Sequence, residues 1–371
     1  MTTPSYRQYQ PAVFNAQRQK RAIELQIHDT SFARKGTLSN YISLEWEEDW
    51  AGLGRLVIVC VDSPSNIALL QQGWYVGRKD RDTAMVIRYV KYDSQAHEIT
   101  VRGYTTLSLL EQRTIYRTQV VGNAEESMRS IVQNNLRGLP DQQVAPSQGF
   151  TDVSNITQFT GDNVVGALVA LNEDSGIGFR NVFDHMNGRH VFTVQKGSDF
   201  SFNNTVGNPT RIFSAEFKNL QNITIIKDMD IFRNVAFVAG EDTGSDRVWI
   251  EVNPGNVSGL DRFELFVDAR DIRWNKDDGE TEAEYKAKLY ARGIEKLNKH
   301  NKAETFIGEV DSNGFGVDFS RGDIISCKSE KYRVWLNVRI TRSTEVREEN
   351  MTRLKLTLGE PEITLLQVVN L

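Results

Sequence analysis

RIFSAEFKNLQNITIIKDMDIFRNVAFVAGEDTGSDR, residues 211–247, is the stretch from which the rest of the chain is read. Its first piece, residues 211–217, is an apolar entry strand. An alternating run follows at 223–229, and a compact apolar strand starts at Asn234 and stops at Gly240. Beyond Gly240 the chain turns acidic and turn-rich, where glycine supplies backbone angles closed to most residues. Little in the segment is reactive. It separates a front half and a back half whose elements come in a similar order.

In front of it the pattern is mostly β. Ile23, Leu25 and Ile27 alternate with polar residues, and Leu44 and Trp46 point away from Glu45 and Glu47. The run RLVIVCV at 55–61 is apolar enough for the centre of a sheet. Residues 64–70 form a short helical turn. A strand at 73–78, a turn, a long strand at 83–92, a second turn and a return strand at 98–102 make a meander, and 105–112 form a short helix. Helices are expected at 123–136, with Asn123 as N-cap and Glu126 completing a capping box, and at 164–171. Strands then return at 179–183 and 190–195.

Behind the segment, strands are expected at 247–252 and 263–268, and a helix at 281–300 with Glu282 facing Lys286 and Glu284 facing Lys288. Residues 321–328, 332–344 and 353–358 repeat the strand, long strand, return-strand order of 73–102. Identity between the two is slight, so the pattern alone leaves coincidence open.

At 371 residues the chain has room for two or three domains. Its 39% hydrophobic and 25% charged residues describe a globular protein, and a net charge of -5 argues against gripping nucleic acid through phosphates. Cys60 and Cys327 sit in apolar runs and read as buried reduced thiols. No signal peptide or membrane-spanning run is present, so synthesis and assembly in the cytoplasm are expected.

Candidate chemistry reduces to turns. Asp242-Thr243-Gly244 and Asp174-Ser175-Gly176 have the form of paired catalytic aspartates, but their polar surroundings read as solvated turns. His185 and His190 flank a glycine turn beside Asp184 and read as a surface hairpin rather than a metal site. The acidic run at 45–49 reads as a solvated strand face. Neither catalysis nor a cofactor nor a metal is expected.

The blocks FSAEFKNL (213–220), IFRNVAFVAGED (231–242) and TGSDR (243–247) resemble the signature region of siphophage tail-tip hub proteins, relatives of contractile-phage baseplate hubs and type VI secretion spikes. LEWEEDWAGLGRLVIVC (44–60), MVIRYVKYDSQAHEITVRGYTTLSLLEQRTI (85–115), FVDARD (266–271), Arg292-Gly293 with Leu297, GDII (322–325) and MTRLKLTLGEPEITLL (351–366) are similar to further blocks, in order. The likeness covers about residues 22–371, and its specificity lies in the combination.

The resemblance implies a mainly β chain with α+β insertions: two tube-type β-barrel domains and a peripheral α+β domain. The expected parts are an N-terminal arm at 1–21, a first barrel at 22–113, an insertion at 114–240, a linking region at 241–304 and a second barrel at 305–371. It also implies a non-enzymatic homotrimer at the tail tip of a virion or of a tail-derived particle. Three chains with two barrels each would continue a sixfold tube, through which DNA and tape-measure protein pass. Implied partners are the distal tail protein, the tape-measure protein and tail-tip or receptor-binding proteins, with DNA in transit but not specifically bound. Many members carry a C-terminal extension for wall hydrolysis or host attachment. This sequence ends at Leu371, so lytic activity is not expected. Trp46 and Trp50 are expected to anchor the first barrel, Arg113 and Arg247 to reach across subunits, and Asn234 and Gly240 to be structural. The alternative is a carbohydrate- or receptor-binding β protein at the tail periphery. A wall-degrading enzyme is a third reading.

Overall fold

The computed structural model describes residues 23–359, except 140, 155, 185–187, 242–246, 311–313 and 349–350. The expected arm (1–21), His185, the Asp242-Thr243-Gly244 tripeptide and the chain beyond 359 lie outside these residues. The described residues divide into two units, 23–224 with 306–359, and 225–305.

The first unit begins with β1 (Leu25–His28), β2 (Arg34–Leu38), β3 (Tyr41–Asp49), β4 (Arg55–Val61), α1 (Pro64–Leu69), β5 (Tyr75–Arg78), β6 (Ala84–Asp93) and β7 (Glu98–Thr105). These strands are joined antiparallel in the order β3-β4-β7-β6-β5-β1-β2. Period-two alternation sends Leu44 and Trp46, Leu56, Ile58 and Cys60, and Ile99 and Val101 to the same face. With Leu25, Ile27 and Val76 they close into one core, which makes the sheet a roll.

An α+β region is inserted next. It holds α2 (Ser108–Glu111), β8 (Gln119–Val120), α3 (Ala124–Asn134), β9 (Gln142–Val144), β10 (Gln158–Phe159), α4 (Val164–Ser175), β11 (Gly178–Asp184) and β12 (Arg189–Gln195). Strands β11-β12-β9 form a small sheet whose Phe179, Phe192 and Val194 share a core with the apolar faces of α3 and α4. Asn123 caps α3 by accepting from the Glu126 amide at 2.9 Å, but Glu126 pairs with Arg129 at 2.7 Å, so half the expected capping box forms. Helix α4 runs four residues past its apolar stretch and ends at Gly176, at φ 72°. Asp174-Ser175-Gly176 is therefore a helix C-terminus rather than a free turn. Strands β13 (Ile212–Ser214) and β14 (Gln221–Asp228) follow.

The second unit contains β15 (Val235–Ala239), β16 (Trp249–Val252), β17 (Glu264–Asp268) and α5 (Glu282–Asn298). Strand β15 lies central, antiparallel to β16 and parallel to β17, and α5 covers one face through Tyr285, Leu289 and Leu297. A boundary at 240 is therefore displaced: β15 pairs with the strands after it, not with the insertion before it. Thr281 and Glu284 form a full capping box. That commits Glu284, so Lys288 pairs with Glu280 (2.7 Å), while Glu282 pairs with Lys286 (2.6 Å) as expected.

The chain returns to the first unit through β18 (Ala303–Val310), a strand not expected from the sequence, and then β19 (Ile324–Ser329), β20 (Val334–Glu348) and β21 (Met351–Gly359). Both β5-β6-β7 and β19-β20-β21 are antiparallel meanders around a long middle strand. The mainly β class with α+β additions is thus the observed one, but two closed barrels are not. Among the described residues, strand β3 pairs with β4 on one edge and β20 on the other, so it cannot also pair with β2 to close the roll. The early and late strands share one sheet, continued through β21 to β18 and β14. Both cysteines are free and buried, and burial pushes the Cys60 thiol up to about 11. No described helix is long and apolar enough to cross a membrane.

Candidate functional site

Strand β3 carries Leu44, Trp46 and Glu48 on its buried side, Trp50 follows just past its end, and Glu48 is 4% exposed. The acidic run is therefore not wholly solvated, because Glu48 has the same parity as the tryptophans. A buried carboxylate requires partners. Trp46 Nε1 donates to Glu48 Oε1 at 2.8 Å, Thr83 Oγ1 donates to Oε2 at 3.2 Å, and Arg321 Nη2 also donates to Oε2. Burial pushes the Glu48 pKa up, but Arg321, Arg81 and the indole outweigh it and leave it below the ordinary range.

The carboxylates on the other face of β3 also have arginines. Arg55 donates to Glu45 at 2.6 Å, and Arg342 on β20 donates to Asp49 at 2.8 Å and lies 3.6 Å from Glu47. In the β3–β20 ladder Trp46 faces Glu345 and Glu48 faces Ser343. Arg78, 1% exposed, reaches Glu345 at 3.0 Å, holds Asp80 through two bonds (2.6 and 2.9 Å), and lies 5.3 Å from the Trp46 ring. The junction of early and late strands is thus a buried arginine–carboxylate network around Trp46.

This network floors a cleft of about 580 Å³. The β5–β6 turn supplies Lys79, Arg81 and Asp82, and β11 supplies Arg180 and Phe183. Loop 315–321 supplies Phe315 and Arg321, whose guanidinium lies 5.8 Å from the Phe315 ring, with that of Arg81 at 6.0 Å. Arg180 grips Asp82 through two parallel bonds of 2.8 and 2.7 Å. Burial pushes Asp82 up, but Arg180 outweighs it and keeps the carboxyl low. A low carboxylate pKa suits permanent ion pairing, not general-acid work.

Trp50, 3% exposed, closes the adjoining edge. Its ring fills a slot between Gly178 and Gly322, where an added β-carbon would approach it to 2.4 Å or 2.0 Å, and Arg339 lies 5.5 Å above it. The other residues singled out from sequence lie elsewhere. Arg113 donates to the Leu136 carbonyl at 3.1 Å, inside the insertion. Asn234 donates to the Asp261 carbonyl (2.8 Å) and accepts from the Phe263 amide (2.9 Å), which fixes the parallel β15–β17 register. Arg247 donates to the carbonyls of Gly240 (2.8 Å) and Ala239 (3.0 Å) and to Asp268 (2.6 Å).

Gly240 leaves room for Tyr285: a β-carbon there would lie 2.1 Å from the phenolic oxygen. That hydroxyl accepts from the Glu241 amide (2.9 Å) and donates to the Ile272 carbonyl (3.1 Å). Gly240→Ala should therefore destabilise the protein by about 1–3 kcal/mol, read as a lower thermal midpoint. Tyr285→Phe should recover part of that loss in the double variant. An unchanged midpoint for Gly240→Ala would contradict the packing.

His190 departs from expectation. It is fully buried, with both ring nitrogens unpartnered, beneath Phe32 (4.9 Å), Tyr75 (5.3 Å) and Phe183 (5.2 Å). The strand pattern explains it, since His190 has the parity of Phe192 and Val194. No group of three or more metal-holding side chains occurs among the described residues. Sequence reasoning does not single out Glu48, Arg78, Arg321 or Glu345; inward parity on β3 marks Glu48, and no local signal marks the other three.

The family model for the Siphovirus ReqiPepy6 Gp37-like protein matches residues 24–360. Three solved structures share the fold at low identity. A tail protein from Neisseria meningitidis MC58 has a TM-score of 0.57 and 10% identity, over 91% of this chain and 97% of its own. A prophage tail protein from Listeria monocytogenes EGD-e has a TM-score of 0.55 and 11% identity, over 94% and 97%. The 43 kDa tail protein of prophage MuSo2 from Shewanella oneidensis has 0.56 and 10%, over 91% and 97%. No curated protein sequence matches.

Proposed function

The chain belongs to the Siphovirus ReqiPepy6 Gp37-like protein family, and on that premise we propose that it is a structural hub at the tip of a phage tail. In this reading it is non-enzymatic and forms a homotrimeric ring that continues a sixfold tube. Its neighbours are the distal tail protein, the tape-measure protein and tip or receptor-binding proteins. The ring passes DNA and tape-measure protein during ejection without binding DNA specifically. The observation that supports this best is the β3–β20 pairing: one polypeptide brings two β meanders into one sheet, so three copies bring six. Sedimentation of the purified chain should give a trimer, and images down its axis a ring with an open centre. A monomer at every concentration, or a ring of other symmetry, would end the proposal.

A second reading, glycan or receptor binding at the periphery, is favoured by one feature of the second unit. Trp249 and Phe266 are 51% and 57% exposed on the sheet face opposite α5, with ring centroids 5.7 Å apart. Binding to host glycans that Trp249→Ala abolishes would favour it.

A further inference from the structure

The two meanders share more than the order of their strands. Ile87 faces Gly103 and Ile340 faces Leu358, and one residue further, at Arg88 and at Thr341, each long strand bulges against its return strand. The entry into each long strand matches as well. The Ile87 amide donates to the Trp74 carbonyl (2.9 Å) and its carbonyl accepts from Gly73 (2.8 Å), while Ile340 does the same with Asp323 and Gly322 (both 2.8 Å). Gly73 and Gly322 stand at φ 81° and 91°, a conformation that glycine adopts without strain. A bulge sets the local bend and twist of its strand, so β5-β6-β7 and β19-β20-β21 are two versions of one device. Each leads outward in the same way, β7 to β4 and β3, and β21 to β18 and β14.

The two versions differ in what flanks them. Past its bulge β20 has β21 on one side and β3 on the other, and the Thr341 carbonyl accepts from the Trp50 amide at 2.8 Å. Residues 89–93 of β6 have β7 on one side and, among the described residues, no strand on the other. The Arg88 carbonyl, at the place of Thr341, accepts from the Gln72 side chain at 3.3 Å. Exposure follows the difference. Ser343 and Glu345 are buried under β3, whereas at the same points of β6 Val90 is half-buried and Tyr92 is 52% exposed. Strand β14, the counterpart of β3, ends the sheet with β18 as its neighbour, and none of Ile223, Ile225 and Ile226 is fully buried. An apolar edge strand is a template for another chain.

We propose that β14 of one chain pairs antiparallel with the free edge of β6, residues 89–93, in a second copy, as β3 pairs with β20 within a chain. This contact rests on the ring proposed above and supplies its joint. It joins two different surfaces, so it passes from copy to copy until the ring closes. Three chains then alternate the internal joint with an intermolecular one of the same kind. A second copy is the fitting occupant because β3 on β20 already shows this device accepting the end strand of its counterpart.

The test uses the purified full chain. Tyr92→Cys on β6 is combined in turn with Ile223→Cys, Thr224→Cys, Ile225→Cys, Ile226→Cys and Lys227→Cys on β14. Paired strands bring one of these β-carbons within disulfide range of position 92, about 3.5–4.5 Å. Cys60 and Cys327 are buried and supply no competing surface thiol. After mild oxidation at least one double variant should run as covalent dimers and trimers on a non-reducing denaturing gel, and each single variant as a monomer. Covalent dimers no more abundant in the double variants than in the single ones overturn the pairing. So does a link within one chain, seen as a monomer that migrates faster than its reduced form. Sedimentation separates this joint from the ring itself. A wild-type trimer with no link in any of the double variants sinks the β14–β6 pairing alone, whereas a monomer at every concentration sinks both.

Discussion

Replacing Trp46 with alanine is expected to lower the unfolding free energy by about 3–5 kcal/mol. Trp46 is 2% exposed and packs into the core of the roll. It also donates to Glu48, a buried carboxylate, so truncation leaves both a cavity and a charge with one donor fewer. Trp46→Phe separates the two effects. It keeps most of the apolar volume and loses only the indole N–H, so its cost should be smaller, about 1–3 kcal/mol. Urea midpoints followed by circular dichroism report both values. If the alanine variant unfolds at the wild-type midpoint, or if phenylalanine costs as much as alanine, the arrangement around Glu48 is wrong.

The same strand shows which parts of the fold can be read locally. Alternation in LEWEEDW is plain, and it correctly separates Leu44 and Trp46 from Glu45 and Glu47. The expectation that the acidic run is solvated follows residue type and ignores parity, which places Glu48 beside the tryptophans. His190 repeats the lesson. Its neighbours Phe192 and Val194 lie two and four residues on, so alternation points it inward, whatever histidine usually does. Local pattern thus contains more about these two residues than composition suggests.

What pattern cannot contain is the partner. Glu48 meets Arg321 from 273 positions away, and Arg78 meets Glu345 from 267. Nothing in either neighbourhood specifies that pairing, which arises only when β20 takes the second edge of β3. That same edge decides between two closed barrels and one shared sheet. Each meander is visible alone, whereas the bond between them is not. Strand β18 is hidden for a simpler reason: AETFIGEV mixes helix-favouring Ala and Glu with strand formers, and its pairing with β21 decides its state.

Acid is expected to weaken the protein through His190. Burial without a hydrogen-bond partner pushes its pKa down to about 4, from an ordinary value of 6.5. Among the described residues, Asp184 pairs with Arg189 at 3.0 Å, and Asp141 meets His190 through its backbone carbonyl, which accepts from the His190 amide. Between these two values the unfolded chain holds a proton that the folded chain does not. Stability at His190 is therefore fully present above pH 6.5, falls as the pH drops towards 4, and changes no further below. At about 1.4 kcal/mol per pH unit, the loss comes to about 3 kcal/mol. Other groups titrate in the same interval, and some oppose it: burial raises the pKa of Asp49 and of Asp323, so both favour the folded state as acid is added. The readout is accordingly a difference. Urea midpoints of wild type and His190→Phe, measured at pH 7 and pH 4.5, should diverge in acid, with the wild type the weaker there. The ring it loses sits among Phe32, Tyr75 and Phe183, so phenylalanine can keep the aromatic packing. Parallel pH dependences in the two proteins would mean that His190 finds a proton-bearing partner in the fold, and that the seam it fills is not closed to water.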